Sequence, residues 1–153
     1  GRYYEVVDCV LDPRPVRPGG PPLMLGSVSP RMMRIGLPHV DCWNVWWSDY
    51  GNDAEGFTAV RARVEDAAGQ AGRAPGEVEA TAAVLVQLPG GTGRLMGETY
   101  NDRAVRPVPV AGLAEHLHAM AGAGAAHLQL VLDPITVGSI ESAGEALREF
   151  RGS

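Results

Sequence analysis

Residues 78–88, running Val-Glu-Ala-Thr-Ala-Ala-Val-Leu-Val-Gln-Leu, form an almost unbroken apolar stretch rich in valine, alanine and leucine. A strand with one wet face alternates polar and apolar side chains. A run this uniform instead fits a parallel strand covered on both faces, which in turn requires helices outside the sheet. The rest of the chain supplies them. Leu23-Met24-Leu25 is a short apolar run closed by Gly26-Ser27-Val28-Ser29-Pro30; a helix follows, with Ser29 at the N-cap, Pro30 at the first helical position and Pro38 as its stop. Residues 40–47, Val-Asp-Cys-Trp-Asn-Val-Trp-Trp, read as a second strand, and the turn formers of 48–53 end in Asp53, a cap for the next helix. From 54 to 71, Phe57, Val60, Val64, Ala67, Ala68 and Ala71 share one helical face, and Gly72 is placed to end the helix.

Downstream, residues 111–122 carry Leu113, Leu117 and Met120 on one stripe. Residues 127–132 read as a strand closed by Asp133-Pro134, and 137–150 form a last helix with Ile140, Ala143, Leu147 and Phe150 on one face. The pattern is strand then helix four times over, with strands starting near residues 22, 40, 78 and 126, and such alternation predicts a parallel α/β sheet with right-handed crossovers. Two architectures fit: an open doubly wound sheet, or half of an eight-stranded (β/α) barrel, a fold that typically takes about 250 residues. In both, chemistry gathers at the carboxyl ends of the strands. That singles out the loops at 26–30, 44–53, 89–110 and 133–136.

Ahead of the first unit, residues 3–11 carry aromatic and β-branched side chains and suggest an extended segment or strand. Residues 12–22 hold five prolines and two glycines and read as a stiff lead-in; Pro15-x-x-Pro18 also has the spacing of a ligand for a proline-recognising domain. The whole chain, 1–153, is expected to form a single segment, with 1–21 as lead-in and 22–153 as the four units.

Composition removes several functions. All 13 basic residues are arginine and the net charge is −5, so the chain lacks the basic face that phosphate neutralisation on DNA or RNA needs. No apolar run approaches the roughly 20 residues that span a bilayer, and the start has neither an initiator Met nor a signal-peptide stretch. The expectation is a cytoplasmic protein without membrane or nucleic-acid partners, cut from something longer. Cys9 and Cys42 read as reduced thiols. His116 and His118 stand two apart on a helix and diverge, so no metal site emerges.

Three runs then carry a resemblance: residues 21–31, Pro-Pro-Leu-Met-Leu-Gly-Ser-Val-Ser-Pro-Arg; Val40-Asp41-Cys42-Trp43-Asn44; and Gly72-Arg73-Ala74-Pro75. In order and spacing they resemble the second half of bacterial luciferase-like monooxygenases. The ending, from Gly122 through His127-Leu128-Gln129-Leu130 to Asp133-Pro134, is similar to the branch that uses the deazaflavin coenzyme F-420. The resemblance implies a (β/α)8 TIM barrel of which this chain supplies strands five to eight, a half-barrel. It implies an oxidoreductase or monooxygenase that uses F-420, or alternatively FMN, for hydride or oxygen transfer to a small organic substrate. The partner would be the missing N-terminal half-barrel or a second copy of the chain.

By the same resemblance the coenzyme phosphate sits on the loop after the fifth strand, which matches Gly26, Ser27, Val28, Ser29 and Arg31; where many relatives carry a second glycine, this chain has Ser27. Elementary chemistry agrees in part: Gly26 admits close backbone approach and Ser27 and Ser29 offer hydroxyls, though Ser29-Pro30 is equally a good helix start without a ligand. Trp43 and Asn44, with Trp46 and Trp47, stand where the family's barrel opens onto coenzyme. Indole rings there could wall a flavin or cap a core, and Asn44 could orient a polar group. His127 and Gln129 alternate with leucines and would line the barrel, with a paired structural role the commoner outcome. Arg94, Arg103 and Arg106 lie on the long loop that the family carries over its active site. The absence of lysine argues against the sugar phosphates that some deazaflavin relatives bind through lysines. No catalytic residue is assigned, since the family's acid or base commonly comes from the other half. The competing expectation is a non-catalytic half-barrel that self-associates through its open edges.

Overall fold

The computed structural model describes residues 2–10, 12–92 and 105–152. In chain order its elements are β1 (Met24–Leu25), α1 (Pro30–Gly36), β2 (Cys42–Val45), α2 (Trp47–Tyr50), α3 (Ala54–Gln70), β3 (Glu79–Gln87), β4 (Val108–Pro109), α4 (Leu113–Gly122), β5 (His127–Asp133) and α5 (Val137–Gly152). The apolar run at 78–88 is the central strand. Along one edge it pairs in parallel with β5, from Thr81 opposite His127 to Gln87 opposite Asp133. Its other edge pairs with β2 near the start, from Cys42 opposite Glu79 to Val45 opposite Ala82, and with the two residues of β4 at Val86 and Gln87. β1 lies beyond β2, with Met24 opposite Cys42.

The four principal strands, β1, β2, β3 and β5, thus stand side by side in chain order and all run parallel. That order has no switch point, which is what distinguishes a barrel segment from a doubly wound sheet. β4 is an addition that no hydrophobic pattern announced, since two residues are too few to carry a period.

Packing explains the uniformity of β3: its side chains from Thr81 to Val86 are all buried. Trp43 and Val45 of β2 lie in a core with Phe57, Val60, Val64 and Ala68 of α3. Val84 and Val86 join Leu113 and Leu117 of α4 and Ala146 of α5, with Leu128, Leu130 and Leu132 of β5 packed against them. Each fully buried large side chain of this kind contributes about 1.5–3 kcal/mol. Asp53 caps α3 as its position predicts, accepting from Gly56 N at 2.7 Å. A side chain at Gly56 would run into the Tyr50 carbonyl, so only glycine lets α3 start this close behind α2.

The motifs of the sequence also do structural work. The Asp41 carboxylate accepts from Leu23 N at 2.8 Å and so fixes the approach to β1. Arg73 donates from Nη1 to the carbonyls of Leu37 and Val40, each at 3.0 Å, tying the end of α3 to the connection between α1 and β2.

Three expectations change. Residues 3–10 join no strand and leave Tyr3, Tyr4, Val6 and Val7 exposed; Asp8 takes a left-handed φ of 50°, which breaks an extended run, and the prolines that follow lack donors for a ladder. Ile140 is 59% exposed, because α5 turns Ser139, Ala143 and Ala146 inward instead. Small residues let the helix approach closely, and burying Ser139 costs little because its hydroxyl pairs with that of Thr136 at 2.8 Å. Ser29 precedes α1 as expected, yet its side chain makes no capping bond. Among the described residues no helix is long and apolar enough to cross a membrane.

Candidate functional site at the carboxyl ends of the strands

The loop after β1 is built from both its own residues and the core beneath it. The Ser27 hydroxyl accepts from Ser29 N at 3.1 Å, closing a local turn. The Ser27 carbonyl accepts from the indole Nε1 of Trp43 at 2.8 Å. Around Gly26 a Cβ would meet nothing within 4 Å, so the backbone is open to an approaching group. The Ser29 hydroxyl and the exposed Arg31 guanidinium have no partner among the described residues.

Trp43 therefore differs from its expected part. Its side chain is 0% exposed and stacks on Phe57 at 6.5 Å between ring centroids, so the ring cannot wall a ligand. Alternation along the strand accounts for this: Trp43 points to the helix side while Asn44, one residue on, points to the opposite face. The tryptophan cluster is thus mainly core, with Trp47 buried and Trp46 half-buried against it, their ring centroids 3.7 Å apart. Asn44 stays partly accessible. Its Oδ1 accepts from the hydroxyl of Thr81, directly opposite on β3, at 2.8 Å, leaving its NH2 group to act as donor.

On the edge of β3 away from β5, no strand lies alongside between the end of β2 and the start of β4, and two side chains fill the gap. The Tyr50 hydroxyl donates to the Ala83 carbonyl at 2.9 Å. Asn52 accepts from Leu85 N and donates to Leu85 O, both at 3.0 Å, and donates to Arg106 O at 3.1 Å. Asn52 is 3% exposed and holds a φ of 61°, a left-handed conformation that asparagine tolerates better than most residues. Burial holds the Tyr50 phenol well above its ordinary range, with Asp53 adding to the effect, so it stays a donor. Tyr50, Asn52 and Thr81 were not singled out from the sequence; the one available signal was the turn run Tyr50-Gly51-Asn52-Asp53, where asparagine suits a left-handed residue.

On β5, Leu128, Leu130 and Leu132 face the helices as alternation predicts. Gln129 lies on the other face, and its Oε1 is buried with no hydrogen-bond partner among the described residues. Of the arginines expected on the long loop, Arg94 and Arg103 lie outside the described residues, and Arg106 is exposed beside a cleft of about 570 Å³. That cleft is also lined by Asn52, Asp53, Glu115 and His116. Desolvation holds the His116 imidazole below its ordinary pKa, with Asp53 partly opposing, and its Nε2 is buried without a hydrogen-bond partner among the described residues. His118, two residues on, packs against Phe150 at 4.5 Å.

The chain matches the model of the luciferase-like monooxygenase family over residues 1–153. Among solved structures it is similar to an F-420-dependent secondary alcohol dehydrogenase in complex with an F-420–acetone adduct, with a TM-score of 0.68, 13% identity, and coverage of 99% of this chain and 55% of that one. It is also similar to the coenzyme F-420-dependent tetrahydromethanopterin reductase of Methanopyrus kandleri, with a TM-score of 0.57, 14% identity, and coverage of 84% and 51%. A third is the long-chain alkane monooxygenase LadA, with a TM-score of 0.61, 15% identity, and coverage of 87% and 42%. A search among curated proteins finds no match. The chain spans about half the length of these solved structures, and its parallel strands in chain order form a half-barrel of the (β/α)8 type. It belongs to the luciferase-like monooxygenase family.

Proposed function

We propose that this chain is the coenzyme-binding part of an oxidoreductase that uses F-420, or alternatively FMN, to act on a small organic substrate. The observation that carries the reading is the loop after β1: just past the carboxyl end of that strand, in a chain of this family, come an open backbone at Gly26 and, without partners among the described residues, the Ser29 hydroxyl and the exposed Arg31 guanidinium. Those groups suit a phosphate-bearing coenzyme, for which exposed donors and a cation are the needed chemistry. When bound, such a coenzyme supplies hydride or oxygen chemistry itself. The protein's share is binding and orientation. Gly26, Ser27, Val28, Ser29 and Arg31 hold the phosphate end, and the Asn44 NH2 group, fixed from behind by Thr81, offers a directed donor to a carbonyl of the coenzyme ring or substrate.

The two open edges of the sheet complete the reading. Leu23 and Met24 at β1 are 52% and 51% exposed, and Ile135, Val137 and Ile140 after β5 are 59–74% exposed. We assign these edges to closure by the remainder of the barrel, with a second copy of the chain as the alternative partner. The test is equilibrium titration of the full-length protein with F-420 and with FMN. Saturable binding of one of them is expected, and absence of binding to both overturns the reading.

A further inference from the structure

We propose that Gln129 is a register lock for closure of the barrel: its amide oxygen takes a hydrogen bond from a donor side chain on the strand two places beyond β5, in the remaining half. This rests on the assignment, made above, of the open edges to the remainder of the barrel. Three observations carry it. First, Gln129 Oε1 is buried and accepts no hydrogen bond from the described residues. A buried acceptor is normally paired, because losing water without gaining a donor costs free energy. Second, its neighbours on the sheet cannot serve. Gln129 stands on the face away from Leu128, Leu130 and Leu132, and the side chains beside it on that face, Ala83 directly opposite on β3 and Val131 on β5, carry no donor. Third, barrel geometry gives the direction of the missing partner. Asn44 stands opposite Thr81 and bonds to it, and Thr81 stands opposite His127. In a (β/α)8 barrel the strand tilt shifts each level by about one residue per strand, and an interior layer takes its four side chains from every second strand. Two strands on from β2, the layer of Asn44 thus lies two residues from His127, at Gln129; two residues the other way is Ala125, which precedes β5. Asn44 and Gln129 share a layer but no hydrogen bond, which leaves the layer neighbour on the far side of Gln129 as the source of the donor. The chain spans about half the length of the solved structures it resembles, so the strands that complete the layer lie outside it.

A donor in that place does more than add one bond. Sliding the closing strands by one residue turns their inward side chains toward the helices, and sliding them by two carries the donor to another layer. Either slip leaves Gln129 Oε1 buried and unpaired. An aliphatic side chain at 129 would not tell the two-residue registers apart.

The experiment uses the full-length protein. Gln129→Met keeps the length of the side chain and removes the amide. With Oε1 paired across the closure, the substitution strands the donor, and the melting temperature is expected to fall by about 2–4 °C. With Oε1 unpaired, methionine relieves a buried orphan; a melting temperature that stays or rises therefore overturns the lock. A crystal structure of the wild type is expected to show an N–H or O–H donor from the second strand beyond β5 within about 2.5–3.2 Å of Oε1. A partner from residues 1–153, a water, a bound coenzyme or a second copy of the chain in that place overturns it, and this readout stands even where Gln129→Met does not fold. Truncating the observed donor to alanine, alone and together with Gln129→Met, closes a double-mutant cycle. The two losses are expected to overlap, and full additivity contradicts the pairing. A full-length protein that forms the pair but binds neither F-420 nor FMN sinks the coenzyme reading alone. One that binds coenzyme with Gln129 unpaired sinks the lock alone.

Discussion

At the residue scale, alternation decides which side chains of a strand can meet a ligand. Trp43 and Asn44 are neighbours in the sequence on β2, yet one is sealed in the core and the other shares a hydrogen bond with Thr81 on the opposite face. The sequence held the period but not the phase, because Val40 to Trp47 is apolar at nearly every position and either phase is chemically reasonable. Gly26 gives a direct test. Its backbone is open and needs no left-handed φ, so Gly26→Val is expected to melt as the wild type does while lowering coenzyme affinity at least tenfold, measured by titration.

His116 tests the electrostatics of the cleft beside Arg106. Burial lowers its pKa below the ordinary 6.5, with Asp53 opposing and Glu115 also lining the cleft. The folded state therefore favours the neutral ring, and the unfolded chain takes up a proton first as pH falls. The contribution is full above about pH 6.5 and is lost as pH drops through the interval below it. Urea midpoints measured at about pH 7.5 and 5.5 should fall for the wild type, and His116→Gln should remove part of that fall. A slope unchanged in the variant would contradict the assignment.

At the element scale, the long helices were legible because each carries several turns of one period, and β3 because its apolar run is uniform and long. Helix α3 is the clearest: Phe57, Val60, Val64 and Ala68 are buried, and Asp53 caps it. Short elements were not legible. β4 has two residues and α2 a single turn, and their positions come from Tyr50 and Asn52 bonding the edge of β3 rather than from a pattern of their own. On α5 the apolar stripe through Ile140 competed with one through Ser139, and the second won because Thr136 satisfies the buried hydroxyl. Asn52 acts as a surrogate strand residue, which makes it a sharp test of this scale. Asn52→Ala strands the Leu85 N–H and C=O and asks alanine to hold a left-handed φ; a loss of about 2–4 kcal/mol is expected, read from the urea midpoint. Faster hydrogen exchange at the Leu85 amide should accompany it. Asn52→Gly relieves the backbone but not the lost bonds, so its loss should be smaller.

At the scale of the whole molecule, the architecture was readable from the order of the elements, since four strand–helix units in succession predict a parallel sheet and the family motifs select a barrel segment. What one sequence could not reveal was how the motifs divide their labour. Asp41, Trp43 and Arg73 turn out to hold loops in place, while Gly26, Ser29 and Arg31 have no side-chain partner among the described residues. The account makes the loop after β1 the phosphate seat of a coenzyme whose ring lies over the open carboxyl ends of the strands. The most direct measurement is a crystal structure of the full-length protein with F-420 or FMN bound. The account predicts a phosphate oxygen at hydrogen-bond distance, about 2.7–3.2 Å, from a donor of the 26–31 loop. A coenzyme phosphate seated on another loop, with the 26–31 loop bare, would contradict it.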